Sequence, residues 1–319
     1  MGEYFSILSA LFFAVSYVLI RKGTTPQSSD NGAFISLLLT FVLSSIFWVI
    51  FRLVDPDPID YLNTEGILWF VLAGLFTTYL GRTWVYLSIR HIGTVRTSAI
   101  SKLNPFITVL LSAYLVGEPI TAVTFLGMLL IFFGVFISIR QSMQLSGNTE
   151  NHVLNITKIF GRLRTTEIVE LGKSFVTSGA YFAILAALGY ALGNTFRKKG
   201  VLLIADPFYG ASIGALLGIL IYVILALFKK PYRELFVSNF TSFKPFPFYA
   251  GLAMSLGQIA FFLSLNYIEL SRASLITTLD TVFIVILSTW VLKMHENINS
   301  LTIISVILTV LGTVTIILG

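Results

Sequence analysis

Three ionisable residues stand where a chain of apolar runs should hold none: Arg82, Lys102 and Asp280. Each falls inside a stretch long enough to cross a hydrocarbon layer, where an isolated ion costs about 2.5–3.5 kcal/mol at a helix centre. Such groups must pair, face protein or line water, and their chemistry is the binding of charge. Lysine and arginine attract a carboxylate or phosphate; a buried carboxylate takes an amine or a proton. Two of the three lie in Gly81 to Glu118, GRTWVYLSIRHIGTVRTSAISKLNPFITVLLSAYLVGE, where one apolar segment ends and, after a short polar break, another carries Lys102 and Pro105. The break makes the segments antiparallel, which sets Arg82 and Lys102 toward the same end, roughly 7 Å and 5 Å from the middles of their helices. Two arrangements satisfy the charges. In one, Lys102, Arg82 and Asp280 line a polar central pocket that binds a solute; in the other, Lys102 and Asp280 form a structural pair and Arg82 snorkels to the surface.

Helical spacing adds neighbours to these charges. Ser98, Lys102 and Pro105 share a face, with Asn104 off that stripe. Pro105 removes a backbone donor and frees the Ser101 carbonyl toward a cavity, or else serves as a packing kink. Thr78, Arg82 and Tyr86 share a face of the preceding segment, while Trp84 points elsewhere, toward lipid or the interface. Tyr190, Asn194 and Gln258 offer hydrogen bonds to a solute or act as helix–helix glue. Asn194 also adjoins the basic run Arg197-Lys198-Lys199, which reads as a headgroup-level helix end. The candidate substrate-binding set is therefore Lys102, Asp280, Arg82, Ser98, Thr78, Tyr86, Tyr190, Asn194 and Gln258.

The elements that must position these residues are membrane helices. The chain has 319 residues, 56% of them apolar and only 11% charged, with a mean hydropathy of +0.88, far from the roughly 25% charged residues of a soluble domain. Strands of a β-barrel would alternate over about ten residues, and no such pattern occurs. The net charge of +6 sits mostly in the breaks between apolar segments, which fits headgroup anchoring better than nucleic acid. With no cysteine and three scattered histidines, neither thiolate chemistry nor a metal site is expected, and no cofactor or catalytic residue is read. Nor is there a phosphate loop. Glu3 ahead of the first apolar segment, with no basic leader, marks a retained span rather than a signal peptide.

The fold expected is all-α and polytopic, with ten transmembrane helices at about 3–20, 32–52, 66–89, 94–116, 120–140, 177–196, 208–228, 246–268, 271–292 and 299–318. Residues 141–176 form a polar linker containing KIFGRLRTTEIVELGKSF, which suits a surface-lying or a plain connector helix. Across it the sequence repeats, dividing the chain into five-helix units at 1–140 and 177–319. Arg21-Lys22-Gly23 matches Lys198-Lys199-Gly200, Ala73-Gly74-Leu75 matches Ala250-Gly251-Leu252, and Gly81 matches Gly257. Arg96 then matches Arg272, Asn104 aligns with Asp280, and Glu118 corresponds to Glu296. An odd number of spans per unit inverts the second unit in the membrane, the architecture of many secondary transporters with a site between the halves. Pro105, Gly81, Gly257, Glu118 and Glu296 are the structural or hinge candidates.

This pattern resembles the EamA-type members of the drug/metabolite transporter superfamily. Pro105 followed by Gly117-Glu118-Pro119 looks like that family's proline in helix 4 and glycine–glutamate before helix 5, and Glu296 looks like the counterpart of Glu118. Lys102 departs from the small or apolar residue expected there, as do Thr281 and His295 from the proline and glycine of the second half. The resemblance implies a basket in which helices 1, 3, 4, 6, 8 and 9 surround a cavity and helices 5 and 10 pack outside. It also implies ATP-independent movement of a small-molecule substrate, with Lys102 favouring an amino acid or other zwitterionic or anionic solute. A coupling proton at Asp280 or a counter-substrate would drive it, in a monomer or homodimer of the cell membrane. A membrane-embedded binding or assembly protein and an exporter of cationic or aromatic compounds are the alternatives. Family habit puts both termini in the cytoplasm, whereas the breaks after helices 1, 3, 5, 7 and 9 are the richer in lysine and arginine, which argues the opposite.

Overall fold

The computed structural model describes residues 1–23, 32–54, 59–146, 180–241, 245–290 and 300–318, and every regular element among them is helical. In the first half these are α1 (Gly2–Gly23), α2 (Ala33–Val54), α3 (Thr64–Ala73), α4 (Arg82–Ser101), α5 (Leu103–Leu111) and α6 (Ala122–Ser146). The second half contributes α7 (Ala180–Leu203), α8 (Pro207–Phe228), α9 (Lys230–Thr241), α10 (Pro245–Ser264), α11 (Leu270–Ile276), α12 (Asp280–Trp290) and α13 (Ser300–Leu318). The linker with its amphipathic stretch, and Glu296 with it, lie outside the described residues.

The distribution of side chains is that of a protein dissolved in lipid. Large apolar residues such as Leu126, Phe133, Leu220, Ile224 and Val310 face outward, while Ser9, Ser16, Ser36, Thr40, Ser44 and Ser255 are buried between helices. Lipid removes the hydrophobic drive for helices to associate, so small residues and interhelical hydrogen bonds hold the bundle. Ser9 donates to the Gly257 carbonyl at 2.8 Å and Ser16 to that of Ala250 at 2.9 Å, fastening α1 to α10. Ser305 does the same between α13 and the Gly134 carbonyl of α6 at 2.6 Å.

Among the described residues, six helical stretches are long and apolar enough to cross a membrane: Gly2–Ile20, Ala33–Val54, Thr64–Ser88, Pro207–Phe228, Pro245–Ser264 and Leu270–Leu287. The chain is an all-α, multi-pass membrane protein. Three further apolar helices, Leu103–Val116, Ala122–Ile137 and Ile303–Leu318, are shorter. α7 is 24 residues long, and Asn194, Arg197 and Lys198 in its C-terminal half lower its apolar character. The expected ten spans thus reduce to six that qualify by length and composition.

Three local features depart from regular α-helices and matter for the site. Gly74–Gly81, between α3 and α4, is π-helical. Its i→i+5 bonding fits an extra residue into each turn, so faces counted at 3.6 residues slip across it. Within α4, Ser88 Oγ and Thr97 Oγ1 are 2.8 Å apart. Nine residues of straight helix would separate them by about 13.5 Å, so α4 is sharply bent between them. Finally, the helix breaks at Lys102, three residues before Pro105, and a 3₁₀ turn at Thr277–Leu279 precedes Asp280.

The short helix α9, which packs mainly on α8, was not anticipated; its mixture of charged and apolar residues lacks the length of a span.

Candidate functional site

Arg82 is the first residue after the π-helical segment and is 2% exposed. Its Nη1 donates to Ser36 Oγ at 2.8 Å and its Nη2 to Gln258 Oε1 at 2.8 Å, tying α4 to α2 and α10. It does not snorkel: every partner lies inside the bundle. Lys102, at the break before α5, donates from Nζ to Asp280 Oδ1. Both residues are buried, and they join the break of the first half to the start of α12 in the second.

These groups line one cavity of about 110 Å³, room for several waters or one small solute. Its walls come from α1, α4, α5, α7, α10 and the Thr277–Asp280 turn. Among the described residues none of its lining comes from α6 or α13, which pack against each other through Gly127, Gly134 and Gly312. The cavity brings together Lys102, Asp280, Arg82, Tyr190, Asn194, Gln258 and Pro105 from the sequence reading.

Thr78 and Tyr86 are placed elsewhere. Thr78 is buried beside Gly214 and Gly218 of α8, because the π-helical segment rotates it away from the face that Arg82 presents. Tyr86 lies one turn beyond Arg82, in a cluster with Ile20, Ala33 and Ala250. Ser98 belongs to α4, and its side chain is not among those described. Trp84 is half-buried against Gly189 of α7 rather than turned wholly to lipid. Asn104, set aside by the face count, does line the cavity, since the break at Lys102 restarts the helical phase.

Pro105 and Ser101 both line the cavity, and the Ser101 Oγ is buried without a partner. Gly81 and Gly257 play matching parts. A Cβ on Gly81 would lie 3.3 Å from the Tyr190 ring, and one on Gly257 would lie 2.8 Å from that of Phe13. Phe13 and Tyr190 both face the cavity.

Arg197, whose basic run suggests a headgroup-level helix end, lies inside the bundle instead. It is 3% exposed and lines the cavity. Its Nη2 donates to Thr77 Oγ1 at 3.0 Å and its Nη1 reaches Asn194 Oδ1 at 3.4 Å, with the guanidinium 4.0 Å from the centre of the Phe262 ring. A cation–π contact of this kind offsets about 0.5–2 kcal/mol, well short of the several kcal/mol that burying an ion costs. The signal was present in the spacing: Tyr190, Asn194 and Arg197 recur at i, i+4 and i+7 on one face, whereas Lys198 and Lys199 leave it. Lys198 instead donates to the carbonyls of Leu265 and Ile268 at 2.7 and 2.8 Å, and Lys199 sits over the Trp69 ring.

Glu118 lies outside the cavity and supports it. Its carboxylate accepts from the backbone N–H of Leu270 at 2.7 Å and of Ser271 at 3.0 Å, and from Ser271 Oγ at 3.0 Å. A carboxylate at this position satisfies orphan donors of α11 and complements the positive end of its dipole. Gly117 makes the turn into it with φ +80°, in the left-handed region that favours glycine.

The sequence matches the EamA-like transporter family over residues 1–140 and 177–318. The chain belongs to that family. Over 162 residues it is 26% identical to Protein LicB of Haemophilus influenzae, covering 50% of this chain and 54% of LicB. The uncharacterized transporter YyaM of Bacillus subtilis is 30% identical over 128 residues, 40% of this chain and 39% of YyaM. Solute carrier family 35 member B1 of Xenopus laevis is 29% identical over 113 residues, 34% of each chain. The chain thus spans about half the length of LicB, and less of the other two. A chain of a solved crystal structure superimposes with a TM-score of 0.57 over 98% of both chains at 14% identity, a likeness of fold.

For the EamA family assignment the cavity supplies the local content. Three cations, Arg82, Lys102 and Arg197, stand against one carboxylate, Asp280. Among the described residues no grouping of His, Cys, Asp and Glu could hold a metal ion, and what the arrangement offers is electrostatic attraction and hydrogen bonding.

Proposed function

We propose that this protein is a secondary transporter that moves a small polar solute, anionic or zwitterionic, by alternating access around the Lys102–Asp280 cavity. The observation that carries the reading is the position of that pair: Lys102 and Asp280 are buried, face one cavity and come from opposite halves of the chain. A pair so placed must be remade or rehydrated whenever the halves rock apart, which couples cavity opening to charge binding.

The reading includes two inverted five-helix units, 1–140 and 177–319. Several features support it. The six long apolar stretches, the three shorter ones and α7 add up to the ten helices that this reading needs. α1 packs chiefly on α10 and α3 on α7, a reciprocal exchange of partners between the halves, while α2 with α8 and α6 with α13 meet as equivalents. The helical break at Lys102 aligns with the 3₁₀ turn at Thr277–Leu279. An even number of traverses puts both termini on one side, the cytoplasmic side by family habit.

Asp280 is the proposed coupling carboxylate. Lys102, Arg82, Tyr190, Asn194 and Gln258 are the proposed solute contacts, with Ser98 ranking behind them. Pro105, Gly81, Gly257, Glu118 and Glu296 are the proposed structural positions. A cavity with more cations than anions counts against a cationic cargo.

Purified protein in proteoliposomes tests the reading. Saturable counterflow of a small anion or zwitterion, abolished by Lys102→Met, is expected. Absence of flux for glycine, acetate, succinate and phosphate, with binding retained, would favour a non-transporting binding protein. The chain contains no cysteine, so single cysteines placed at cavity positions report alternating exposure to thiol reagents on the two faces.

A further inference from the structure

The Lys102–Asp280 pair is neutral as a unit, so the surplus charge of the cavity resides in Arg82 and Arg197. Arginine stays protonated in proteins, so this surplus cannot be shed by losing a proton. Each guanidinium is almost wholly buried, held by neutral oxygens alone, and neither bonds to a carboxylate among the described residues. The Nε of each is buried with no partner, as is Ser101 Oγ on the same cavity. Tyr190 lines the same cavity as both guanidinium groups. Both guanidinium groups line the same cavity, where like charges repel. Ser36, Gln258, Asn194 and Thr77 hold them in place without neutralising them, an arrangement that keeps two cations poised rather than satisfied.

We propose that Arg82 and Arg197 form a subsite for an oxyanion group bearing two negative charges, so that the cargo is a small dianion, either a phosphate monoester or a dicarboxylate. This rests on the transport reading above and narrows it. A dianion cancels the surplus, where a monoanion or zwitterion leaves at least one buried guanidinium uncompensated. Guanidinium planes also present paired N–H donors matched to carboxylate and phosphate oxygens. Lys102 and Asp280 then remain paired and free to serve the opening step.

Ligand-induced thermal stabilisation of the purified full-length protein, with counterflow in proteoliposomes, provides the test. The probes are glycerol phosphate, succinate, acetate and glycine. Glycerol phosphate or succinate is expected to bind at least about 30-fold tighter than acetate or glycine, a ratio typical of pairing a buried charge. Which of the two dianions binds tells phosphoryl from dicarboxylate cargo. Arg197→Gln is expected to weaken dianion binding about 30-fold or more while the ligand-free protein becomes no less stable, because an uncompensated ion has been removed. Arg197→Lys keeps the charge and is expected to recover part of the affinity. Acetate or glycine matching the dianions, or dianion affinity unchanged in both Arg82→Gln and Arg197→Gln, would overturn the subsite. Saturable glycine flux lost in Lys102→Met with no dianion preference would sink the subsite and leave the transport reading standing. Dianion binding without flux would do the reverse.

Discussion

Arg82 Nη2 donates to Gln258 Oε1 at 2.8 Å, joining two positions that align with each other in the two halves of the sequence. The bond crosses the middle of the bundle and supplies geometry without charge. An amide here orients the guanidinium; a carboxylate would neutralise it. Gln258→Glu is therefore expected to raise the thermal stability of the ligand-free protein and to weaken anion binding by about tenfold or more, since a buried ion gains its counter-ion. Unchanged anion affinity in this variant would mean that Arg82 does not contact the cargo.

Asp280→Asn leaves Lys102 buried with its partner neutralised. Breaking a buried pair in this way costs about 3–5 kcal/mol unless the lysine sheds its proton. If Asp280 carries the coupling proton, the variant loses the pH dependence of net flux while retaining exchange. Flux that still responds to pH in Asp280→Asn proteoliposomes would exclude proton coupling through this residue. The double variant Lys102→Met/Asp280→Leu separates fold from function: it is expected to recover stability and to remain without coupled transport.

Glu118 holds the start of α11 through two backbone N–H groups and one hydroxyl. Lys198 grips the two carbonyls just before it. Glu118→Gln keeps one acceptor and loses the charge, and about 1–3 kcal/mol of stability is expected to go with it. Glu118→Ala should cost more. Thermal unfolding in detergent measures both, and equal stability of wild type and Glu118→Ala would show that α11 needs no such cap.

The membrane fold was written plainly in this chain because lipid makes long apolar runs compulsory. The cavity was half visible. Lys102 and Asp280 stand out because each sits alone in an apolar run, whereas Arg197 hides in a basic triplet whose composition matches any headgroup anchor. Thr78 was misplaced for a different reason. Its face was counted at 3.6 residues per turn, and the run Gly74–Gly81 carries no feature that distinguishes a π-helical from an α-helical ladder until Gly74 meets α8. Spacing rules place residues well inside regular helices and fail where packing sets the helix type.

Tyr61, in the turn between α2 and α3, donates its hydroxyl to Asp206 Oδ2 at 2.7 Å, while Asp206 Oδ1 caps the N–H groups of Phe208 and Tyr209. Burial, together with this bond, pushes the Tyr61 phenol up to about 12. A phenol that holds its proton more tightly when folded adds stability below its unfolded value near 10, and that stability is lost as pH rises through the folded value. The stability gap between wild type and Tyr61→Phe should therefore be constant from pH 7 to 9 and shrink from about pH 10 to 12. A gap that persists above that range would mean that the hydroxyl bond does not set it.

Gly74 and Gly214 meet in a close glycine seam between the π-helical segment and α8. A Cβ on Gly74 would lie 2.5 Å from the Gly214 Cα and 2.8 Å from its carbonyl oxygen, so the obstruction is backbone and cannot rotate aside. A Cβ on Gly214 would meet the Gly74 Cα at 3.2 Å, which a few tenths of an ångström would relieve. Gly74→Ala must push α8 off the π-helical segment, carrying Thr77 and Arg82 with it, at about 1–3 kcal/mol for overpacking. Gly214→Ala is expected to cost distinctly less. Because Thr77 holds Arg197 and the segment ends at Arg82, Gly74→Ala should also weaken anion binding at a temperature where the protein remains folded. Thermal unfolding and ligand-induced stabilisation of the two variants, measured side by side, check the order. Equal losses in both would place the seam elsewhere.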